Sequence, residues 1–344
     1  MKSVALLLLA AVGGVFNGGV DGQETDLAAS LKSFSDIQQV DLNRLLGGEI
    51  ISERGSLMKF PSGMSTQLCF AVPMAAEETA KRLQEWNPSP HKELKIYAFR
   101  PLCTPCEIAD FKDLKITSSP RSVGWLLDKT LTTTADKSEL NLSRNEAQQI
   151  ASSLKKNSTP AEVSSCWARL LWARASAFQT KGFDGMAPYE VSGETVSSVA
   201  QLRAMVLEES PVARECEPIL RKSGLLGGGV PTLTPVYYWQ LFSADGYGTL
   251  SLGARYLLPV GDHYQLLDVD CYVNGNYYTS VTLYEVWPIR SAGKTGSLVW
   301  QGDFYAAPTL AYTRGVDRVA YGAIMLLEIK KSVRAFQSDI RTAH

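Results

Sequence analysis

The sequence predicts an α+β protein: an antiparallel sheet with a long C-terminal helix, interrupted by an all-helical insertion. Three observations carry that reading. From Val236 to Tyr305, apolar runs with strand-like alternation are separated by turn signals, Asp245-Gly246 and Asn274-Gly275-Asn276 among them. From Asp317 to Ile340, Leu326, Ile329, Val333, Phe336 and Ile340 recur in alternating steps of three and four, which stacks them on one helix face. Between roughly residues 110 and 228, strand patterning gives way to capping boxes and helical spacing.

The elements follow in order. Lys2, the apolar run Val4–Val12 and the small residues up to Gly22 form the three-part layout of a secretory leader over residues 1–22. The run is short for a membrane span, and no later segment reaches that length, so no stable span is expected once the leader is removed. The expected location is secreted or periplasmic. Gln23 to about Asp36 is polar and weakly patterned, and is expected to wrap or fray. Asp41–Leu46 reads as a short helix stopped by Gly47-Gly48. Glu49–Met58 and Ser65–Val72 read as strands. Ala75–Trp86 reads as an amphipathic helix ended by Asn87-Pro88-Ser89-Pro90, and Leu94–Phe99 as a further strand. Residues 23–108 thus form the N-terminal part of the α+β domain.

The insertion is placed at 109–228. Ser143-Arg144-Asn145-Glu146 and Thr159-Pro160-Ala161-Glu162 are capping boxes, the second with proline at the first helical position. The helix it opens is expected to run to about Thr180, with only Arg174 interrupting its apolar stripe. Further helices are expected near Val196–Glu208 and Pro211–Lys222, and Gly227-Gly228-Gly229 closes the region. Residues 229–344 carry the C-terminal sheet and the terminal helix, whose seam is expected to pack on that sheet.

Composition narrows the function classes. The chain has 344 residues, 45% hydrophobic and 20% charged, with a formal net charge of -1. That is globular and lacks the basic footprint of a nucleic-acid binder. Six cysteines, Cys69, Cys103, Cys106, Cys166, Cys216 and Cys271, permit pairing outside the cytoplasm or stand as buried thiols. No cofactor motif is complete: Gly293-Lys294-Thr295 ends like a phosphate loop, but the required earlier glycine is Pro288. Three histidines without paired spacing give no metal site.

The order strand, helix with a Trp-Asn-Pro turn, strand, antiparallel meander and long terminal helix resembles the helix-grip fold of START-like lipid-binding domains. The residues that suggest it are Gln67–Val72 leading through Pro73 into Ala75–Trp86, completed by Tyr237–Tyr305 and the terminal helix. The likeness covers roughly residues 45–100 and 231–344 and is one of element order; the insertion departs from it. It implies a sheet folded around the terminal helix with an apolar ligand between them. The C-terminal part also resembles uncharacterised secreted bacterial proteins, a likeness that implies no activity.

Candidate site residues follow. Glu285 shares a strand face with Leu283 and Trp287 in an otherwise apolar row. If that row and Trp239 line a cavity, Glu285 orients a polar ligand group and burial raises its pKa. The plainer reading leaves Glu285 in solvent or paired with an arginine such as Arg255 or Arg290. Asp268 and Asp270 share a face, read as a solvated one. Cys103-Thr104-Pro105-Cys106 has the spacing of an exchangeable disulfide, though a structural loop disulfide is the preferred reading. The leading expectation is non-catalytic binding of an apolar small molecule or lipid. The alternatives are a structural or interaction protein using the insertion as contact surface, its partner unspecified, and a thiol–disulfide oxidoreductase using Cys103 and Cys106.

Overall fold

The structure is a computed structural model. Its described residues are 20–342, less 56, 57, 192 and 292, with side chains described from Leu27 onward. The leader run Val4–Val12 lies outside them. The N-terminal part begins with α1 (Val20–Phe34), α2 (Leu42–Leu46), β1 (Ile50–Arg54), β2 (Gly63–Val72), α3 (Ala76–Glu85) and β3 (Ile96–Pro101). The insertion holds α4 (Arg121–Leu131), α5 (Arg144–Ser153), α6 (Pro160–Lys181), a small hairpin of β4 (Tyr189–Val191) and β5 (Glu194–Val196), then α7 (Ser198–Glu208), α8 (Ser210–Glu215) and α9 (Glu217–Lys222). The C-terminal part is β6 (Val236–Ala244), β7 (Tyr247–Val260), β8 (His263–Val273), β9 (Thr279–Ser291), β10 (Lys294–Ala306) and α10 (Gly315–Thr342). Short 3-10 turns fill several junctions.

The main sheet has eight strands in the order β1-β2-β10-β9-β8-β7-β6-β3, every pair antiparallel. The meander β6–β10 forms its centre, and strands of the N-terminal part flank it on both sides, β2 and β1 at one edge and β3 at the other. Asp245 and Gly246 both have positive φ, at 50° and 84°, the geometry a tight two-residue hairpin requires. This is the expected α+β architecture.

One face carries α3 and α10. Leu68, Phe70, Val72, Leu266, Val286 and Val299 from the sheet pack with Ala76, Ala80 and Leu83 of α3 and with Val333, Phe336 and Ile340 of α10. Two aromatic edges hold the terminal helix: Phe336 meets Phe70 and Trp86 in T-shaped contacts at 6.3 and 5.6 Å. Trp86 also donates to Asp339 at 2.8 Å. The seam read from the sequence is therefore a sheet contact.

The opposite face carries the insertion together with α1 and α2, and all of these share one continuous core. The insertion is thus a second layer of the same body. Three local expectations need correction. The segment after Gln23 forms α1, and its Leu27, Leu31 and Phe34 are buried in that core; sparse apolar positions sufficed because they recur at helical spacing. The insertion also holds the β4/β5 hairpin, so it is not all-helical, and the helix expected at Pro211–Lys222 breaks at Cys216, two residues before Pro218.

Arg174, the interruption in the α6 stripe, is 4% exposed. It donates to both carboxylate oxygens of Glu146 at 2.6 Å and to the Ala187 carbonyl at 3.0 Å. Its guanidinium lies 4.2 Å from the centre of the Tyr272 ring on β8. Glu146 also completes the Ser143 capping box, so one carboxylate ties α5, α6 and the sheet together. Among the described residues, no helix is long and apolar enough to cross a membrane.

Candidate functional site

Leu283, Glu285, Trp287 and Trp239 all lie on the insertion face, away from α10. Their exposures are 0, 0, 7 and 0%, and they are packed by protein. Trp239 stacks on Phe111 at 5.9 Å and donates to the Asp110 carbonyl. Trp287 lies 6.4 Å from Phe34 of α1. Glu285 accepts from Gln265 at 2.8 Å and from the Cys216 thiol at 3.7 Å. His263 Nε2 sits 3.2 Å from Glu285 Oε2, near enough for an ion pair although misaligned for a hydrogen bond. Burial raises the Glu285 pKa, as the sequence reading anticipated. The nearby Glu285 carboxylate raises that of His263. Arg255 lies across the sheet and is not a partner. Gln265 also joins Glu215 and Ile219 of α8 and α9, so this polar group holds the insertion's last helices onto β8 and β9.

Cys103 and Cys106 stand in a loop pinned to α6. Gln179 donates to the Cys103 carbonyl and accepts from the Cys106 N–H, and Trp172 donates to the Cys106 carbonyl. All six cysteines are free, so the expected loop disulfide is not formed here. Asp110 accepts from the N–H groups of Cys103 and Glu107. Its carboxylate raises the Cys103 pKa, and burial, reinforced by Asp110, pushes Cys106 up to about 12. An attacking thiolate needs the opposite environment, a nearby positive charge or a helix N-terminus.

The sheet face toward α10 carries a polar floor. Asp268 and Asp270, read as solvated, are largely covered. Arg255 donates to Asp268 at 2.8 Å and to the Trp86 carbonyl at 2.6 Å, which caps the end of α3 from the sheet. Tyr238 donates to Asp268, while Tyr277 and Ser280 donate to Asp270. Asp303 accepts from Thr282 and Gln301. Burial raises both Asp270 and Asp303 to about 6.

A groove opens where the first half of α10 leaves the edge formed by β1 and β2. One hollow of about 710 Å³ is lined by Met58, Lys59, Pro61, Arg314, Gly315, Val316, Arg318 and Val319. A second, of about 370 Å³, involves Arg54, Met64 and Gly322 and shares Met58, Arg318 and Val319 with the first. The two are therefore contiguous, and each lies near the size of a small-ligand site. Arg318 bridges the walls, donating to the carbonyls of Pro61, Leu310 and Gly63. Glu208, at the end of α7, accepts the N–H groups of Lys59 and Phe60 and so fixes the other wall. The floor is apolar, through Met58, Met64, Pro61, Val316 and Val319. Around it Arg54, Lys59, Arg314 and Arg318 stand against Glu53. This arrangement suits a molecule with an apolar body and an anionic end.

The sequence reading missed these residues. One signal was present: Val319–Leu327 is apolar all round, more than one packed helix face requires. No model of a known protein family matches the chain, and no curated protein matches its sequence.

Proposed function

We propose that the protein is a secreted or periplasmic, non-catalytic binder of an amphipathic anion, held in the groove beside α10. The observation that carries this is the apolar floor of Met58, Pro61, Val316 and Val319 set among Lys59, Arg314 and Arg318. The placement of α3 and α10 on one sheet face supports the helix-grip likeness, whose members hold ligand between sheet and terminal helix. The groove opens at that seam. The apolar row of Leu283 is closed by packing, so the ligand expectation moves to the other side of the sheet. The thiols stand in surroundings that disfavour a nucleophile, which counts against redox catalysis.

The test is titration of the full chain with 1-anilinonaphthalene-8-sulfonate, an apolar bicycle bearing one sulfonate, followed by fluorescence. Saturable binding at one site is expected. Val319→Trp fills the groove from an exposed position and should weaken binding at least tenfold, about 1.4 kcal/mol. Arg314→Glu should weaken the sulfonate while sparing a neutral naphthalene analogue. Binding indifferent to both changes overturns the assignment.

A further inference from the structure

The outward side of the same helix half presents a different feature. Ile324 is 56% exposed and Leu327 61%, and Ala320 and Ala323 are exposed beside them. At 3.6 residues per turn these four side chains fall within one sector of α10, along a strip about 11 Å long. The inner side of these turns packs on the sheet through Gly322, Tyr321 and Met325. A contiguous apolar strip left on a folded surface marks an interaction site.

The strip is complementary to itself. Its midpoint lies between Ala323 and Ile324. Reversed about that point, Ala320 falls opposite the partner's Leu327 and Ala323 opposite the partner's Ile324, so small side chains meet large ones. Asp317 and Lys331 lie on the same edge of the strip, at opposite ends. The reversal brings each Asp317 beside the partner's Lys331. A parallel arrangement would set Asp317 against Asp317 and Lys331 against Lys331. We propose that α10 pairs antiparallel with the α10 of a second copy of this chain, about a two-fold axis at Ala323 and Ile324. The contact is isologous. It uses the side of α10 turned away from the groove, so it does not rest on the ligand reading. One helix strip buries less than the roughly 800 Å² per partner of a standard interface, so dissociation is expected on the order of micromolar.

Sedimentation equilibrium of the full chain across the micromolar range tests the pairing. A reversible dimer is expected, lost in Leu327→Lys with unchanged thermal unfolding. Asp317→Lys should weaken it about tenfold, and Asp317→Lys with Lys331→Asp should restore it. In a Cys103→Ser background, Ile324→Cys lies at the axis and should form an intermolecular disulfide under mild oxidation. Leu327→Cys, displaced along both helices in opposite directions, should not. A chain that stays monomeric throughout, including one that instead binds phosphatidylcholine vesicles through this strip, overturns the proposal. So does a dimer in which Leu327→Cys cross-links and Ile324→Cys does not.

Discussion

Asp303 offers a direct test of how the polar floor under α10 is built. Its carboxyl is 7% exposed and takes its hydrogen bonds from the neutral groups of Thr282 and Gln301. Burial raises its pKa from 3.8 to about 6. The folded value exceeds the unfolded one, so between about pH 4 and 6 the native state holds a proton that the unfolded state has released. Stability therefore falls as pH rises through this window and is level above it. A shift of about two units corresponds to about 3 kcal/mol. Asn at this position keeps the shape and carries no charge, and Gln301 can turn its amide to offer an acceptor. Asp303→Asn should therefore match wild type near pH 4 and exceed it by about 2–3 kcal/mol at pH 7. Urea unfolding followed by tryptophan fluorescence at pH 4, 5, 6 and 7 reads this difference. Other carboxylates titrate in both proteins and cancel in the comparison. A variant less stable than wild type at pH 7, or a difference that does not grow with pH, refutes the reasoning.

Two further outcomes follow from the insertion face. Arg174→Met removes the guanidinium that neutralises Glu146 beneath Tyr272. It should cost about 3–5 kcal/mol in urea unfolding, much of it recovered by adding Glu146→Gln. Leu283→Ala opens a cavity at a fully buried position and should cost about 2–5 kcal/mol. Because Leu283 lies across the sheet from the groove, sulfonate binding by the folded variant should be unchanged; loss of binding would return the site to the Leu283 row.

The elements were legible where local chemistry acts alone. Both capping boxes, at Ser143 and Thr159, form as their spacing indicated, and the seam from Leu326 to Ile340 lies where its alternation placed it. Alternation also put Leu283, Glu285 and Trp287 on one face, but period two cannot say which layer covers that face. Both sides of this sheet are covered, one by α3 and α10 and the other by the insertion, so an apolar row was equally suited to a cavity wall and to a filled core. Asp268 and Asp270 misled for the same reason. Their polarity suggested solvent, whereas Arg255, Tyr238 and Tyr277 supply the partners that burial demands. The groove was the least legible feature. Its walls come from residues near 58 and 318, and a contact between such distant segments has no local signature.

Organic extraction and mass spectrometry of the full chain, purified from its own compartment, tests the binding claim most directly. The account predicts a stoichiometric amphipathic anion on the wild-type protein and its loss from Val319→Trp. The same molecule retained at equal occupancy by Val319→Trp, or a wild-type protein that carries none and stays empty after exposure to a lipid extract, would contradict it.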